Sequence, residues 1–102
     1  MTLYKLTAAA EADLREIARY TRRQWGVAQS RDYARRLTSC FQNIADSEVV
    51  PRPFPDISPD LLVMRCEHHF IFYLHPQGQK PEIIAVLHER MDMIARLWGR
   101  ML

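Results

Sequence analysis

Four of the six prolines fall between residues 47 and 60, and this segment divides the chain into two parts. Proline locks the backbone angle φ and has no N–H group, so neither a helix interior nor a central strand can run through such a segment. We therefore expect a stiff loop between two sets of regular elements. With 102 residues in all, these elements are predicted to share the core of a single domain over residues 1–102.

The part before the proline-rich loop has the 3.6-residue period of helices. A short first strand is predicted over residues 2–6, and Thr7 is a favourable N-cap for a helix that continues to Trp25. Gly26 suits the positive φ found at helix ends, and a second helix is predicted over residues 28–46. Because the link between the helices is very short, they should form an antiparallel hairpin.

The part after the loop is predicted to form an antiparallel meander of strands over residues 61–66, 69–74 and 82–89. The last of these is apolar on both faces, which is typical of a central strand. Asp92 can cap a terminal helix with the apolar residues Met93, Ile94, Leu97, Trp98 and Met101.

The element order is therefore β-α-α-β-β-β-α. It predicts an α+β fold in which an antiparallel sheet carries the helical hairpin on one face. The terminal helix is the one candidate cover for the other face, so we expect a half-open sheet whose apolar terminal helix suits binding of a partner.

The charge balance argues against a general nucleic-acid-binding surface, because 14 basic and 12 acidic residues give a net charge of only +2. Twelve of the basic residues are arginines, which make bidentate contacts with carboxylate or phosphate. No apolar run approaches the ~18 residues of a membrane span, and no secretory signal is visible. Cys40 and Cys66 are too few for a disulfide scaffold, so we expect a reduced, cytoplasmic setting and no membrane partner.

A metal site is one chemical possibility. Cys66, His68 and His69, with His75 and His88 on neighbouring strands, are residue types that bind zinc. Strand alternation would place Cys66 and His68 on one face and His69 on the other, and no second cysteine pair is present. We therefore expect neither a metal nor a cofactor.

Ribonuclease chemistry is the other possibility, since it needs a base, an acid and a cation at the phosphate. His69 or His88 could exchange protons, and Arg65 or Arg90 could hold phosphate. No spacing ties these four residues together, and the three glycines do not form a phosphate-binding loop. The sequence thus predicts no catalytic residue and a protein that is not an enzyme.

Three ordered blocks carry a family resemblance: residues 6–26, LTAAAEADLREIARYTRRQWG; residues 66–74, CEHHFIFYL; and residues 87–93, LHERMDM. The chain resembles the ParE toxins of plasmid partition and addiction modules, in the RelE/ParE superfamily of bacterial toxin–antitoxin systems. The resemblance is strong in these blocks and generic from residue 27 to residue 60. It implies the fold described above and a toxin that poisons DNA gyrase. It also implies a ParD-like antitoxin, which folds along the toxin and through which alone the toxin is linked to operator DNA.

Sister families of the same superfamily cut ribosome-bound mRNA with Lys, Arg, Tyr or His on an open sheet face. Arg65 and Arg90 match part of that pattern, but Lys5 and Lys80 lie outside the meander. The resemblance therefore favours a gyrase inhibitor over a RelE-like mRNA endoribonuclease, and a remnant that only binds an antitoxin is a third reading. Glu67-His68 stands where many ParE toxins have a glycine turn, which leaves the local turn geometry open.

Two surfaces are predicted to meet partners. Arg, Trp and Met are enriched at interface cores, and charged helices suit an acidic partner. Trp98 and Leu97 have an alternative role, in which they complete the core. The candidate target contacts are His88, Arg90, Met91, Ile94 and Trp98, and the candidate antitoxin contacts are Arg22, Arg23, Arg31 and Arg35.

Overall fold

The computed structural model describes residues 3–101, and its elements follow the predicted order. They are β1 (Lys5–Leu6), α1 (Ala8–Trp25), α2 (Val27–Ala45), β2 (Leu62–Cys66), β3 (His69–Leu74), β4 (Glu82–His88) and α3 (Met93–Met101). Apart from β1, the predicted ends agree with the observed ones to within one residue. The first strand is shorter than predicted, and Thr2 lies outside the described residues.

Local capping explains the helical hairpin. Thr7 Oγ1 accepts a hydrogen bond of 3.0 Å from the Ala10 N–H and so begins α1. Gly26 has a φ of 91°, which glycine adopts at little steric cost, and it ends α1 and begins α2 with no further linking residue. The Thr21 and Ser30 hydroxyls lie 3.0 Å apart and join the two helices beside this turn.

The sheet has the strand order β1-β4-β3-β2. The pairs β2–β3 and β3–β4 are antiparallel, as predicted, but β1 pairs with β4 in parallel, so the sheet is mixed. This difference arises because the hairpin and the two middle strands form a crossover that returns the chain beside β1 in the same direction. The prediction of a central strand over residues 82–89 is confirmed, since β4 lies between β1 and β3.

Both faces of the sheet are covered. The hairpin buries Ala10, Leu37, Phe41 and Ile44 against one face, and α3 buries Leu97 against the other. The proline-rich loop also packs on the α3 side, where the rings of Phe54 and Phe72 lie 5.2 Å apart. The terminal helix and the loop thus cover the second face together. The expectation of a half-open sheet is wrong, because the proline-rich loop also packs there.

The β2–β3 turn places a non-glycine residue in a left-handed conformation. Glu67 has a φ of 57°, in the region that favours glycine. Its carboxylate accepts a hydrogen bond of 3.2 Å from Arg36 in α2, which ties this turn to the hairpin. The turn residue that departs from the family pattern therefore makes a tertiary contact of its own.

Cys40 in α2 and Cys66 in β2 are joined by a disulfide, with 6.5 Å between their Cα atoms. Two cysteines are too few for a disulfide scaffold, but here they form one crosslink between the hairpin and the sheet. The expectation of free thiols fails because it rests on the number of cysteines, whereas the pairing depends on how α2 packs on β2. None of the helices within residues 3–101 is long and apolar enough to cross a membrane.

Candidate functional site

An open groove of about 770 Å³ lies between the helical hairpin and the end of the sheet where β4 stops. We call it the histidine groove. Its walls carry exposed apolar side chains together with charges of both signs. The lining residues are Glu16, Ile17, Tyr20, Thr21, Trp25, Gln29, Asp32, Tyr33, Arg36, Glu67, His68, His69, His88, Arg90 and Met91.

Two histidines on neighbouring strands form the floor of the groove. His69 and His88 are register partners of β3 and β4, and their rings meet edge to face with 5.2 Å between centroids. Tyr33 Oη lies 2.6 Å from His69 Nδ1 and accepts a hydrogen bond of 3.2 Å from the His68 N–H. One nitrogen of a neutral imidazole carries the proton, so the tautomer of His69 decides whether the Tyr33 hydroxyl donates to Nδ1 or accepts from it.

Burial governs the protonation of this floor. Loss of solvent, aided by the nearby His88 and His68, lowers the pKa of His69 to about 4. Burial also raises the pKa of Tyr33 above its ordinary value. At neutral pH the pair therefore carries no charge and joins α2 to β3 as a neutral hydrogen bond.

The four residues considered for ribonuclease chemistry are not gathered at one place. His69, His88 and Arg90 line the histidine groove, and the Arg90 N–H donates to His88 Nδ1 at 3.1 Å. The Arg65 guanidinium instead lies 5.5 Å from the ring centre of Phe70, a residue of the α3-side core. Arg65 is thus on the opposite face of the sheet, where its charge is paired with Glu89.

The cysteine and histidine cluster is only partly gathered. Cys66 and His69 are register partners on the same face, as are His69 and His88, so the expectation that His69 lies on the other face from Cys66 is wrong. It fails because the two-residue turn between β2 and β3 interrupts the alternation. Cys66 is bound in the disulfide, and His75 lies in a separate shallow groove beside Pro76 and Met101. Among residues 3–101, no group of three or more His, Cys, Asp or Glu side chains is arranged to hold a metal ion.

The five candidate target contacts divide between two surfaces. His88, Arg90 and Met91 line the histidine groove, whereas Ile94 and Trp98 lie one turn apart on α3. Ile94 is 46% exposed and Trp98 is 53% exposed.

The terminal helix begins where the sequence predicts, because Asp92 Oδ1 accepts a hydrogen bond of 3.2 Å from the Ala95 N–H. The alternative role in the core is confirmed for Leu97, which is fully buried. It is wrong for Trp98, because about half of that side chain is exposed.

The four candidate antitoxin contacts lie exposed on the hairpin. Arg35 is 3.6 Å from Asp32 within α2. No carboxylate of the described residues forms a salt bridge with Arg22, Arg23 or Arg31. Trp25 and Val27, 61% and 52% exposed, stand at the tip of the hairpin between these arginines in the sequence. The positive charge at the tip of the hairpin is therefore accompanied by exposed apolar surface.

One ion pair was not anticipated from the sequence. The Arg100 guanidinium donates two hydrogen bonds to the Asp13 carboxylate, at 2.6 and 2.8 Å, and the Val86 N–H donates a third at 2.9 Å. The bond to Asp13 raises the pKa of Arg100. The two residues are 87 positions apart, so no local pattern could have paired them.

Comparison with known proteins agrees with this fold. A family model described as the ParE toxin of the type II toxin–antitoxin system parDE matches residues 4–93. The protein named Toxin ParE of Escherichia coli is 49% identical over 104 residues, which cover 99% of this chain and 98% of that protein. Toxin ParE1 of Caulobacter vibrioides is 35% identical over 97 residues, covering 95% of this chain and 99% of that one.

A solved structure, titled as the chromosomal ParDE system from P. aeruginosa, has the same fold. It matches with a TM-score of 0.69 at 15% identity and covers 84% of this chain and 96% of that one. The family inferred from the three sequence blocks is therefore confirmed. The protein belongs to the ParE toxin family of type II toxin–antitoxin systems.

Proposed function

We propose that this toxin acts in the cytoplasm by binding DNA gyrase without catalysing a reaction, and that a ParD-like antitoxin neutralises it. The observation that carries the proposal is the pair of exposed apolar side chains on α3. Ile94 and Trp98 lie one turn apart and are about half exposed, although Leu97 of the same helix is fully buried. An exposed apolar helix face of this kind suits docking on a protein, and Trp is enriched among the residues that dominate interface energies.

The lining of the histidine groove favours a protein partner and argues against the cleavage of RNA. Its arginines, Arg36 and Arg90, share the lining with the carboxylates of Glu16, Asp32 and Glu67. These carboxylates repel a phosphate backbone, and Arg36 is already paired with Asp32 at 3.1 Å and with Glu67 at 3.2 Å.

A RelE-like mRNA endoribonuclease is the second candidate, because His69, His88 and Arg90 do share this groove. Primer extension on translated mRNA after toxin induction tests it. Cuts that disappear in His88→Ala would establish the nuclease and overturn the proposal.

The same groove suits the antitoxin. A disordered segment that folds on binding can lay an apolar helix face into a groove lined by side chains such as Tyr20, Trp25 and Met91. Carboxylates on that segment would meet the exposed arginines at the tip of the hairpin. Operator DNA is then contacted by the antitoxin alone, in keeping with the toxin's net charge of only +2.

A gyrase supercoiling assay with purified toxin tests the proposed target. We expect inhibition that the antitoxin reverses, and a topoisomerase IV decatenation assay run in parallel separates the two enzymes. Trp98→Ala should lose inhibition and keep antitoxin binding, whereas Tyr20→Ala, a matched exposed aromatic, should do the reverse. A folded Trp98→Ala protein that inhibits as well as the wild type would show that α3 is not the contact. A toxin that arrests growth without inhibiting either enzyme would show that the target is another molecule.

A further inference from the structure

The Asp13–Arg100 ion pair forms hydrogen bonds with backbone groups at one edge of β4. Within residues 3–101, β1 pairs with Glu82 and Ile83, and no strand pairs with that edge of β4 beyond them. There the Val86 N–H donates to Asp13 at 2.9 Å, and the Ile84 carbonyl accepts a hydrogen bond of 3.2 Å from Arg100. Thr7 Oγ1 donates a further hydrogen bond of 3.3 Å to the same carbonyl. Three side chains thus satisfy backbone groups that a neighbouring strand would otherwise bind.

The same pair joins the two layers that cover the sheet. Asp13 belongs to α1 on one face, and Arg100 belongs to α3 on the other. The side chains are only 14% and 21% exposed, and the contact is bidentate, which fixes direction as well as distance. The hairpin is therefore connected to the terminal helix around the edge of β4.

The terminal helix is nine residues long, too short to be stable by itself. Leu97 is its one fully buried side chain, and Met93 and Met101 pack, partly buried, against the same core. These three side chains lie on one stripe of the helix. The bidentate bond of Arg100 to Asp13 adds a directional anchor beside this stripe and limits rotation of the helix about its axis. It thereby helps to set the direction in which Ile94 and Trp98 project.

We propose that Asp13 is a positioning residue that, through Arg100, holds α3 in the orientation that presents Ile94 and Trp98 to the target. The inference rests on the proposed function of α3 as the target contact. A helix that is already ordered loses less conformational freedom on binding than one that must be ordered by the target. Asp13 itself need not touch the target.

The test compares Arg100→Gln with Arg96→Gln, the same charge loss on an exposed position of the same helix. Both are made in a Trp25→Phe background, so that Trp98 is the one tryptophan left. We expect Arg100→Gln to raise hydrogen exchange in α3 at least tenfold and to increase acrylamide quenching of Trp98. It should also weaken both gyrase inhibition and growth arrest about tenfold, while Arg96→Gln changes none of these. Arg100→Lys, which keeps the charge but not the bidentate geometry, should lie between.

A further control separates positioning from general stability. Ile44→Val lowers stability through the hairpin-side core, so it should leave α3 exchange and inhibition at wild-type values. If Ile44→Val weakens inhibition as much as Arg100→Gln does, the effect is one of stability and the inference is wrong. If Arg100→Gln fails to fold, Arg100→Lys carries the same comparison.

Three outcomes distinguish this inference from the proposed function. If hydrogen exchange in α3 is as slow in the Arg100→Gln variant as in the wild type, the inference is wrong whatever the target is. Faster exchange with unchanged inhibition and growth arrest would show that α3 is not the contact, and both ideas would fail. Faster exchange with weaker growth arrest, in a toxin that does not inhibit gyrase, would support the positioning role and reject gyrase.

Discussion

Tyr33 and His69, 36 residues apart in the chain, share a hydrogen bond of 2.6 Å between the phenol oxygen and Nδ1 of the imidazole. This bond joins the hairpin to the sheet at the floor of the histidine groove. It gives the buried ring a neutral partner, and the same phenol oxygen accepts the His68 N–H. The Tyr33 hydroxyl thus joins the Arg36–Glu67 ion pair and the Cys40–Cys66 bond in holding the hairpin against this part of the sheet.

Tyr33→Phe should lower the free energy of unfolding by about 1–3 kcal/mol, since it leaves polar groups of His69 and His68 without their partner. Urea denaturation followed by circular dichroism measures the change. Tyr20→Phe is the matched control, because Tyr20 is exposed and its hydroxyl has no hydrogen bond among the described contacts. Equal stability of the two variants would contradict the role given to the Tyr33 hydroxyl.

Stability should fall as the pH falls from about 6.5 to about 4. His69 has a pKa of about 4 in the folded protein, below the ~6.5 of an unfolded chain, so the unfolded state binds more protons in this window. This contribution to the free energy of unfolding is fully present above about pH 6.5 and amounts to about 3 kcal/mol, at ~1.4 kcal/mol for each unit between the two pKa values. Unfolding curves at half-unit pH steps check it, and His69→Gln should flatten the slope. An equal slope in wild type and variant would mean that other groups cause it. The charged and titratable neighbours of His69 are His88, His68, Glu89, Asp13 and Tyr33.

Trp98→Ala and Leu97→Ala should differ in their effect on stability although the residues are adjacent. Leu97 is fully buried, so its truncation should cost about 2–5 kcal/mol. Trp98 is about half exposed and should cost under about 1 kcal/mol. Thermal denaturation of both variants measures the difference. A Trp98→Ala protein as unstable as Leu97→Ala would place Trp98 in the core and remove it from the exposed surface of α3.

The Cys40–Cys66 crosslink should make stability depend on redox conditions. It closes a loop with a sequence separation of 26, for which the chain-entropy model gives about 3 kcal/mol. Urea denaturation with and without dithiothreitol should show a difference of that order. Cys40→Ser should unfold identically in both. If the wild type is indifferent to dithiothreitol while mass spectrometry shows the bond intact before reduction, the crosslink does not contribute to stability.

Reversing the charge of Arg22 and Arg31 together, to Glu, should weaken antitoxin binding at least tenfold and reduce its salt dependence. Because both side chains are exposed, the free energy of unfolding should change by no more than about 0.5 kcal/mol. The double reversal of Arg52 and Lys80, which are exposed outside the hairpin, is the matched control. Equal affinities of the two double variants in titration calorimetry would show that the hairpin arginines do not face the antitoxin.

Regular elements and their ends were predictable from the sequence because the responsible interactions are local. Thr7, Gly26 and Asp92 begin or end helices through atoms within four residues of themselves, so their chemistry can be recognised without the fold. The apolar run of β4 likewise indicates burial on both faces. The exposure of Trp98 was not predictable, since a helical period places it beside Leu97 on one stripe and only packing against the sheet buries one of them.

Tertiary structure alone decided the contacts between distant parts of the chain. The parallel pairing of β1 with β4, the Cys40–Cys66 bond and the Asp13–Arg100 ion pair join residues 26 to 87 positions apart. Arg65 and His69 are only four residues apart, yet they lie on opposite faces of the sheet. The turn between β2 and β3 pairs His69 with Cys66, and the Arg65 side chain lies on the face opposite to that of Cys66. A sequence constrains each residue's neighbours along the chain. Which distant side chains meet depends on how the layers pack, and that is determined only when the whole domain folds.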